Sequence, residues 1–266
     1  MNMKKLLTTF AIFAFALVVS KLTFGQTTTS KPAAKRQWYH IQENMLKAGV
    51  SGAEYAEFRA IERVPALKKA GYKHQEFWVP AAVGKGAAMY TIEVWDDLSA
   101  FDQPNRLTKA LGEEGARALG KKTSQYLADG RSHAWLALSD PEISWTEQMT
   151  SPAKLAIVAR VKIARGRSAD FRNYIKNDYL PVVKKSGARG YQALAVRYGG
   201  DADEYITLTF FDSFSELEKN DPSLAATQTR VAGEATAQKN VLKTIGIILH
   251  LERIILRFRP DLSILP

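Results

Sequence analysis

The sequence predicts an α+β fold in which two copies of a β-α-β-β-α-β module follow one another and pack sheet to sheet. Three observations carry that expectation. Shifted by 116 positions, the second half falls on the first without a gap: Gly52-Ala53-Glu54-Tyr55 on Ser168-Ala169-Asp170-Phe171, Pro65 on Pro181, Lys68-Lys69 on Lys184-Lys185, Gly71 on Gly187, Trp95-Asp96 on Phe211-Asp212 and Gly130 on Gly246. A repeat of that length is a small domain rather than a solenoid unit. Each copy alternates segments of period two with segments of helical period. The chain has no cysteine, so packed cores alone must stabilise it, and domains of about 110 residues are large enough to build them.

The elements follow in order. A first strand spans Trp38 to Lys47, matched by Leu155 to Ile163, where apolar residues alternate with others. A helix comes next, with Ser51 and Glu54 marking its start in one half and Ser168 and Asp170 in the other. Tyr55, Phe58, Ile61, Val64 and Leu67 give it an apolar face, as do Phe171, Tyr174, Ile175, Leu180 and Val183. Pro65 and Pro181 fall inside that stretch, where a missing backbone donor kinks or restarts the helix; Gly71 and Gly187 close it. A second strand (Tyr72 to Val79, Gly190 to Val196) leads through Gly84-Lys85-Gly86 or Gly199-Gly200-Asp201 to a third (Met89 to Trp95, Tyr205 to Phe211). These glycines precede a strand, not a helix, which argues against a phosphate loop. A second helix runs to about Leu127 and Lys243, and a last strand covers Ser132 to Leu138 and Ile247 to Leu256. This is the ferredoxin-like split βαβ unit, with both helices on one face of a four-stranded antiparallel sheet. A second copy covers the bare face, giving an intramolecular α+β barrel.

The predicted bounds are a signal peptide at 1–25, a flexible leader at 26–36, a first domain at 37–139, a linker at 140–152 and a second domain at 153–266. Lys4-Lys5, an apolar run from Leu6 to Val19 and the small residues Thr23 and Gly25 carry the signal reading; the run is too short to span a bilayer. Cleavage there predicts a periplasmic or secreted protein with no stable membrane span. It also removes Lys4, Lys5 and Lys21, so the net charge falls from +10 to +7. The remaining lysines and arginines are scattered, and no nucleic-acid motif appears, so nucleic acid is excluded as a partner.

The aromatic-bearing helix running into Pro65-Ala66-Leu67-Lys68-Lys69-Ala70-Gly71 and Pro181-Val182-Val183-Lys184-Lys185-Ser186-Gly187, with third strands ending in Trp95-Asp96-Asp97-Leu98-Ser99 and Phe211-Asp212-Ser213-Phe214-Ser215, resembles the dimeric α+β barrel superfamily. Within it, the tandem arrangement is similar to NIPSNAP-like and antibiotic biosynthesis monooxygenase-like proteins. The resemblance implies a range of roles, from cofactor-free oxygenases and isomerases to haem-binding and haem-degrading proteins. Its motifs are structural and transfer no catalytic residue.

If the apolar residues of each strand face the helices, the alternate ones face the barrel interior. That assigns His40, Gln42 and Asn44, with Thr91 and Glu93, to the interior in one half, and Val158, Arg160 and Lys162, with Thr207 and Thr209, in the other. His40, Gln42, Asn44, Glu93, Arg160 and Thr207 are therefore the candidate ligand-binding residues, with a structural Arg160–Glu93 ion pair as the competing reading. No catalytic residue is assigned. None of the four histidines has metal-ligand spacing, so no metal site is expected, and no cofactor is required; haem is the runner-up. Asp96-Asp97 and Asp212 read as helix caps. The leading function is binding of a small apolar or aromatic ligand in the barrel. The alternatives are a cofactor-free oxygenase or haem enzyme using His40, and a homo-oligomeric interaction protein.

Overall fold

A computed structural model describes residues 35–265 apart from 83–85, 131 and 148. The signal and leader segments, and most of the Gly84-Lys85-Gly86 turn, lie outside the described residues. The first half comprises β1 (Trp38–Met45), α1 (Gly52–Phe58), α2 (Val64–Lys69), β2 (Glu76–Pro80), β3 (Ala88–Trp95), α3 (Arg106–Tyr126) and β4 (His133–Ser139). The second comprises β5 (Leu155–Ile163), α4 (Ser168–Tyr174), α5 (Leu180–Ser186), β6 (Gly190–Tyr198), β7 (Glu204–Phe211), α6 (Phe214–Asn220), α7 (Ala225–Ala232), α8 (Glu234–Thr244) and β8 (Ile248–Phe258).

The eight strands form one closed antiparallel barrel, in the order β1-β3-β2-β8-β5-β7-β6-β4. Read from β4, the order is β4-β1-β3-β2 and then β8-β5-β7-β6, the same sequence of neighbours in each half. The barrel expected from sheet-to-sheet packing is thus present, closed along the sheet edges as well. The edges are hydrogen-bonded at two seams, Trp78–Pro80 with Leu256–Phe258 and Leu136–Ser139 with Leu194–Tyr198. Closure satisfies edge groups that two separate sheets would leave open.

The helical segments show how sequence sets geometry. In each half a five-residue π turn, Arg59–Arg63 or Ile175–Tyr179, separates two short α segments, and the proline falls at the start of the second. A proline ring clashes with the carbonyl four residues back and offers no donor; a widened turn just before it accommodates both. The extra residue also shifts the phase of the apolar face. Ile61, expected inside, is 65% exposed, while Arg59 is completely buried. Ser51 and Glu54 form the expected capping box. Ser168 does not cap α4: it donates to Asp203, and Arg167 pairs with Asp170. Asp97 caps its short 3-10 turn, but Asp212 accepts from Arg189 and leaves Ser213 to cap α6.

Two extensions clamp the halves crosswise. After β4, residues 140–145 bond to β6 of the second half, through Asp140 N to Ala193 O and paired bonds between Trp145 and Tyr191. After β8, residues 259–264 bond to the β2 region of the first half, through Arg259 N to Phe77 O and paired bonds between Gln75 and Ile264. Ser144 accepts from Ala193 N and Ser263 from Phe77 N, so the two clamps use the same residue type in the same way.

Candidate functional site

The middle of the barrel is an apolar core, with a hollow at each end. Ile41, Trp78, Ile92, Leu194, Leu208 and Leu256 are among the side chains that fill its middle. This reverses the strand faces expected in the first half. Because Tyr39 and Ile41 point inward, His40 and Gln42 point to the helix side, as do Thr91 and Glu93 on β3. Thr207 and Thr209 on β7 likewise line the helix side. The reason is that the helix layer beyond the sheet is apolar too, yet takes polar residues from β1 and β3 that hydrogen-bond there, so polarity alone does not say which face is inside. In the second half Val158 and Arg160 face the interior as expected. Arg160 pairs with Glu204 and Glu252 at one barrel end and stacks over Trp135, so the expected pair with Glu93 is not formed. Asn44 is half-buried on the outer face and joins none of these groups.

In the first half a buried polar chain runs through the apolar layer of Tyr55, Phe58, Phe77, Met89 and Leu119 between sheet and helices. Arg59, held by the π turn, donates to Leu262 O at 2.9 Å and to Gln75 Oε1 at 2.6 Å, and its guanidinium lies over the Phe77 ring. Gln75 donates onward to Glu93 at 2.5 Å. His40 Nδ1 stands 4.0 Å from Glu93, and its Nε2 meets Gln42, which accepts from Thr91. Trp95 and Phe101 enclose the imidazole. Burial lowers the Arg59 pKa to about 10. Burial pushes the Glu93 carboxyl up, but the hydrogen bond from Gln75 and the nearby His40 imidazole outweigh it and hold it below the usual range. The structure thus brings His40, Gln42 and Glu93 together, but in a packed network with Arg59 and Gln75.

At the same places in the second half, 116 residues on, stand Ile175 for Arg59, Tyr191 for Gln75 and Thr209 for Glu93. There the helix–sheet space is a cavity of about 310 Å3, walled by Tyr174, Tyr179, Tyr191, Thr207 and Thr209 and, from α7, Gln228. Arg253, paired with Asp221 at 2.5 Å, stands on its wall. Burial raises the pKa of all three tyrosines, Tyr174 to about 12, with Asp178 adding to the effect there. Gln228 is buried, and its side-chain oxygen has no hydrogen-bond partner. Of the candidate residues only Thr207 belongs to this cavity. Tyr191 and Gln228 were missed, although comparing the polarity of Gln75 with Tyr191 and of Arg59 with Ile175 would have marked the helix–sheet space.

This architecture, an eight-stranded barrel with helices packed on its outside, is similar to that of several solved structures. A candidate monooxygenase from Fusobacterium nucleatum superposes with a TM-score of 0.57 at 12% identity, over 85% of this chain and 93% of that one. An anthrone oxidase-like protein gives 0.55 at 7%, over 85% and 93%, and a candidate chlorite dismutase 0.51 at 10%, over 85% and 96%. No family model and no curated protein matches the sequence.

Haem does not fit the residues present in the second-half cavity. No histidine, cysteine or methionine lines it. The tyrosines that remain as axial donors would have to ligate as phenolates, and burial disfavours that form. His40 is enclosed in the other half. Among the described residues no cluster of His, Cys, Asp or Glu is arranged to hold a metal ion, and no helix is long and apolar enough to cross a membrane.

Proposed function

We propose that the chain binds a small, mainly apolar aromatic molecule carrying a hydroxyl group in the helix–sheet cavity of its second half. The observation that carries this is the Gln228 side-chain oxygen, a buried acceptor without a partner on the wall of a tyrosine- and threonine-lined cavity. A buried polar atom left unpaired costs free energy that a ligand hydroxyl recovers. The test is calorimetric titration with 2-naphthol. Saturable binding that weakens in Gln228→Leu and Thr207→Val supports the reading; binding indifferent to both removes it.

A second reading, oxygenation of the bound aromatic without a cofactor, is favoured by Arg253. A cation on the cavity wall stabilises the phenolate or enolate form of such a ligand, which is the form that gives an electron to O2. The fold shared with the anthrone oxidase-like protein makes anthrone the substrate to try. Oxygen uptake with anthrone that falls in Arg253→Met supports it, and uptake equal to a protein-free control ends it.

We further infer that the chain is a tandem duplication, NIPSNAP-like in arrangement, of a ferredoxin-like domain with bounds at 37–139 and 153–266. The offset of 116 residues and the equal strand order support this. The apolar run after Lys4-Lys5 supports export to the periplasm or beyond. A mature N-terminus at Gln26, read by mass spectrometry of the exported protein, tests it. Homo-oligomer formation is tested by light scattering.

A further inference from the structure

A separate cavity of about 270 Å3 opens at the end of the barrel opposite Arg160. Its floor is apolar, with Trp78, Ile92, Leu208 and Phe210, and Thr146, Met149, Pro152 and Ala153 also line it. Four polar side chains converge on it. Tyr39 accepts from Gln192 at 2.5 Å. Glu76 accepts from Trp78 Nε1 at 2.8 Å, and its other oxygen lies 3.4 Å from His74 Nε2.

The charges here run against the rest of the molecule. The chain carries 37 lysines and arginines and a net charge of +10. Arginine or lysine lines the opposite barrel end, the helix–sheet cavity and the two surface hollows beside Lys69 and Lys73. None lines this one among the described residues. Its fixed charge is the Glu76 carboxylate, only a quarter exposed, in a hollow also lined by Tyr39, Trp78 and Phe210. A carboxylate beside aromatic rings attracts a cation through both charge and ring quadrupoles, and more strongly where water is partly excluded. Among the described residues no lysine or arginine is there to receive an anion, and the apolar floor suits a hydrocarbon body.

We propose that this barrel mouth binds a small organic cation, an ammonium group on an aromatic or aliphatic body, with the ammonium at Glu76 and the body against Trp78 and Phe210. This site does not depend on the second-half cavity. Glu76→Gln keeps an acceptor for Trp78 Nε1 while removing the charge, and His74→Lys leaves Glu76 in place but neutralises it with a neighbouring cation.

The test is calorimetric titration with benzylamine, using benzyl alcohol as the uncharged ligand of the same shape. The expected result is saturable benzylamine binding to the wild type that exceeds benzyl alcohol binding and weakens about tenfold or more in both variants. Gln228→Leu, in the other cavity, leaves it unchanged. Thermal melting checks that each variant is folded, and if Glu76→Gln is not, His74→Lys decides. Absence of saturable benzylamine binding, equal binding of benzyl alcohol, or undiminished binding by a folded variant overturns the proposal.

Discussion

The two halves have the same strand order and the same π turn before the same proline, yet they treat the space between sheet and helices in opposite ways. In the first half Arg59, Gln75 and Glu93 run through it as a buried charged chain. In the second, Ile175, Tyr191 and Thr209 leave a cavity with an unpaired acceptor on its wall. Three positions therefore separate a sealed half from a hollow one on a common frame. The sealed half lends rigidity at the cost of desolvating charge, and the hollow half gives up packing for a place to hold a ligand.

The largest effect is expected from Arg59→Ala. It leaves the Gln75–Glu93 end of a buried chain without its cation and opens a void, and urea unfolding is predicted to show a loss of about 3–5 kcal/mol. The sharper test transplants the second half's residues into the first. Arg59→Ile, Gln75→Tyr and Glu93→Thr together remove every member of the chain at once, so the triple variant is predicted to be more stable than Arg59→Ala alone, within about 2 kcal/mol of wild type. If the triple variant is the less stable of the two, the network is not separable from its frame.

Gln228→Leu probes the hollow half. It removes the unpaired acceptor, so stability is predicted to rise by about 1 kcal/mol while 2-naphthol binding weakens about five- to tenfold. A variant that loses both stability and binding would mean that the acceptor has a structural partner.

The smallest effect is in acid. The folded-state pKa of Glu93 lies below its ordinary value of 4.5, so the unfolded chain takes up the proton first. The stability this group contributes is full above about 4.5 and is lost as pH falls through the folded value. Urea midpoints measured between about pH 5.5 and 3.5 should fall more for wild type than for Glu93→Gln; equal slopes would contradict it.

The order of elements was legible because strand and helix periods differ and the repeat confirms each by its twin. Strand faces were not. Ile41 and Val158 both look like helix-facing or interior residues, since the barrel core and the helix layers are apolar alike, and the guess was wrong for one and right for the other. Ile61 was misplaced because a π turn shifts the helical phase without leaving a mark on periodicity. The candidate residues His40, Gln42 and Glu93 do form a cluster, but its organising member, Arg59, carries no signal in a pattern search that expects apolar residues on a buried face. Thr207 was expected in the barrel interior but lines the helix–sheet cavity instead, beside Tyr191, which looked like ordinary strand packing.

The most direct test of the contrast between the halves is a crystal structure of the protein soaked with 2-naphthol. Density for the ring is predicted between the β5–β7 face and helices α4 and α8, in contact with Tyr191 and with its hydroxyl at Gln228, and no density beside Arg59. Ligand seated against the Arg59–Gln75–Glu93 chain, or a second-half cavity closed by collapsed side chains, would contradict it.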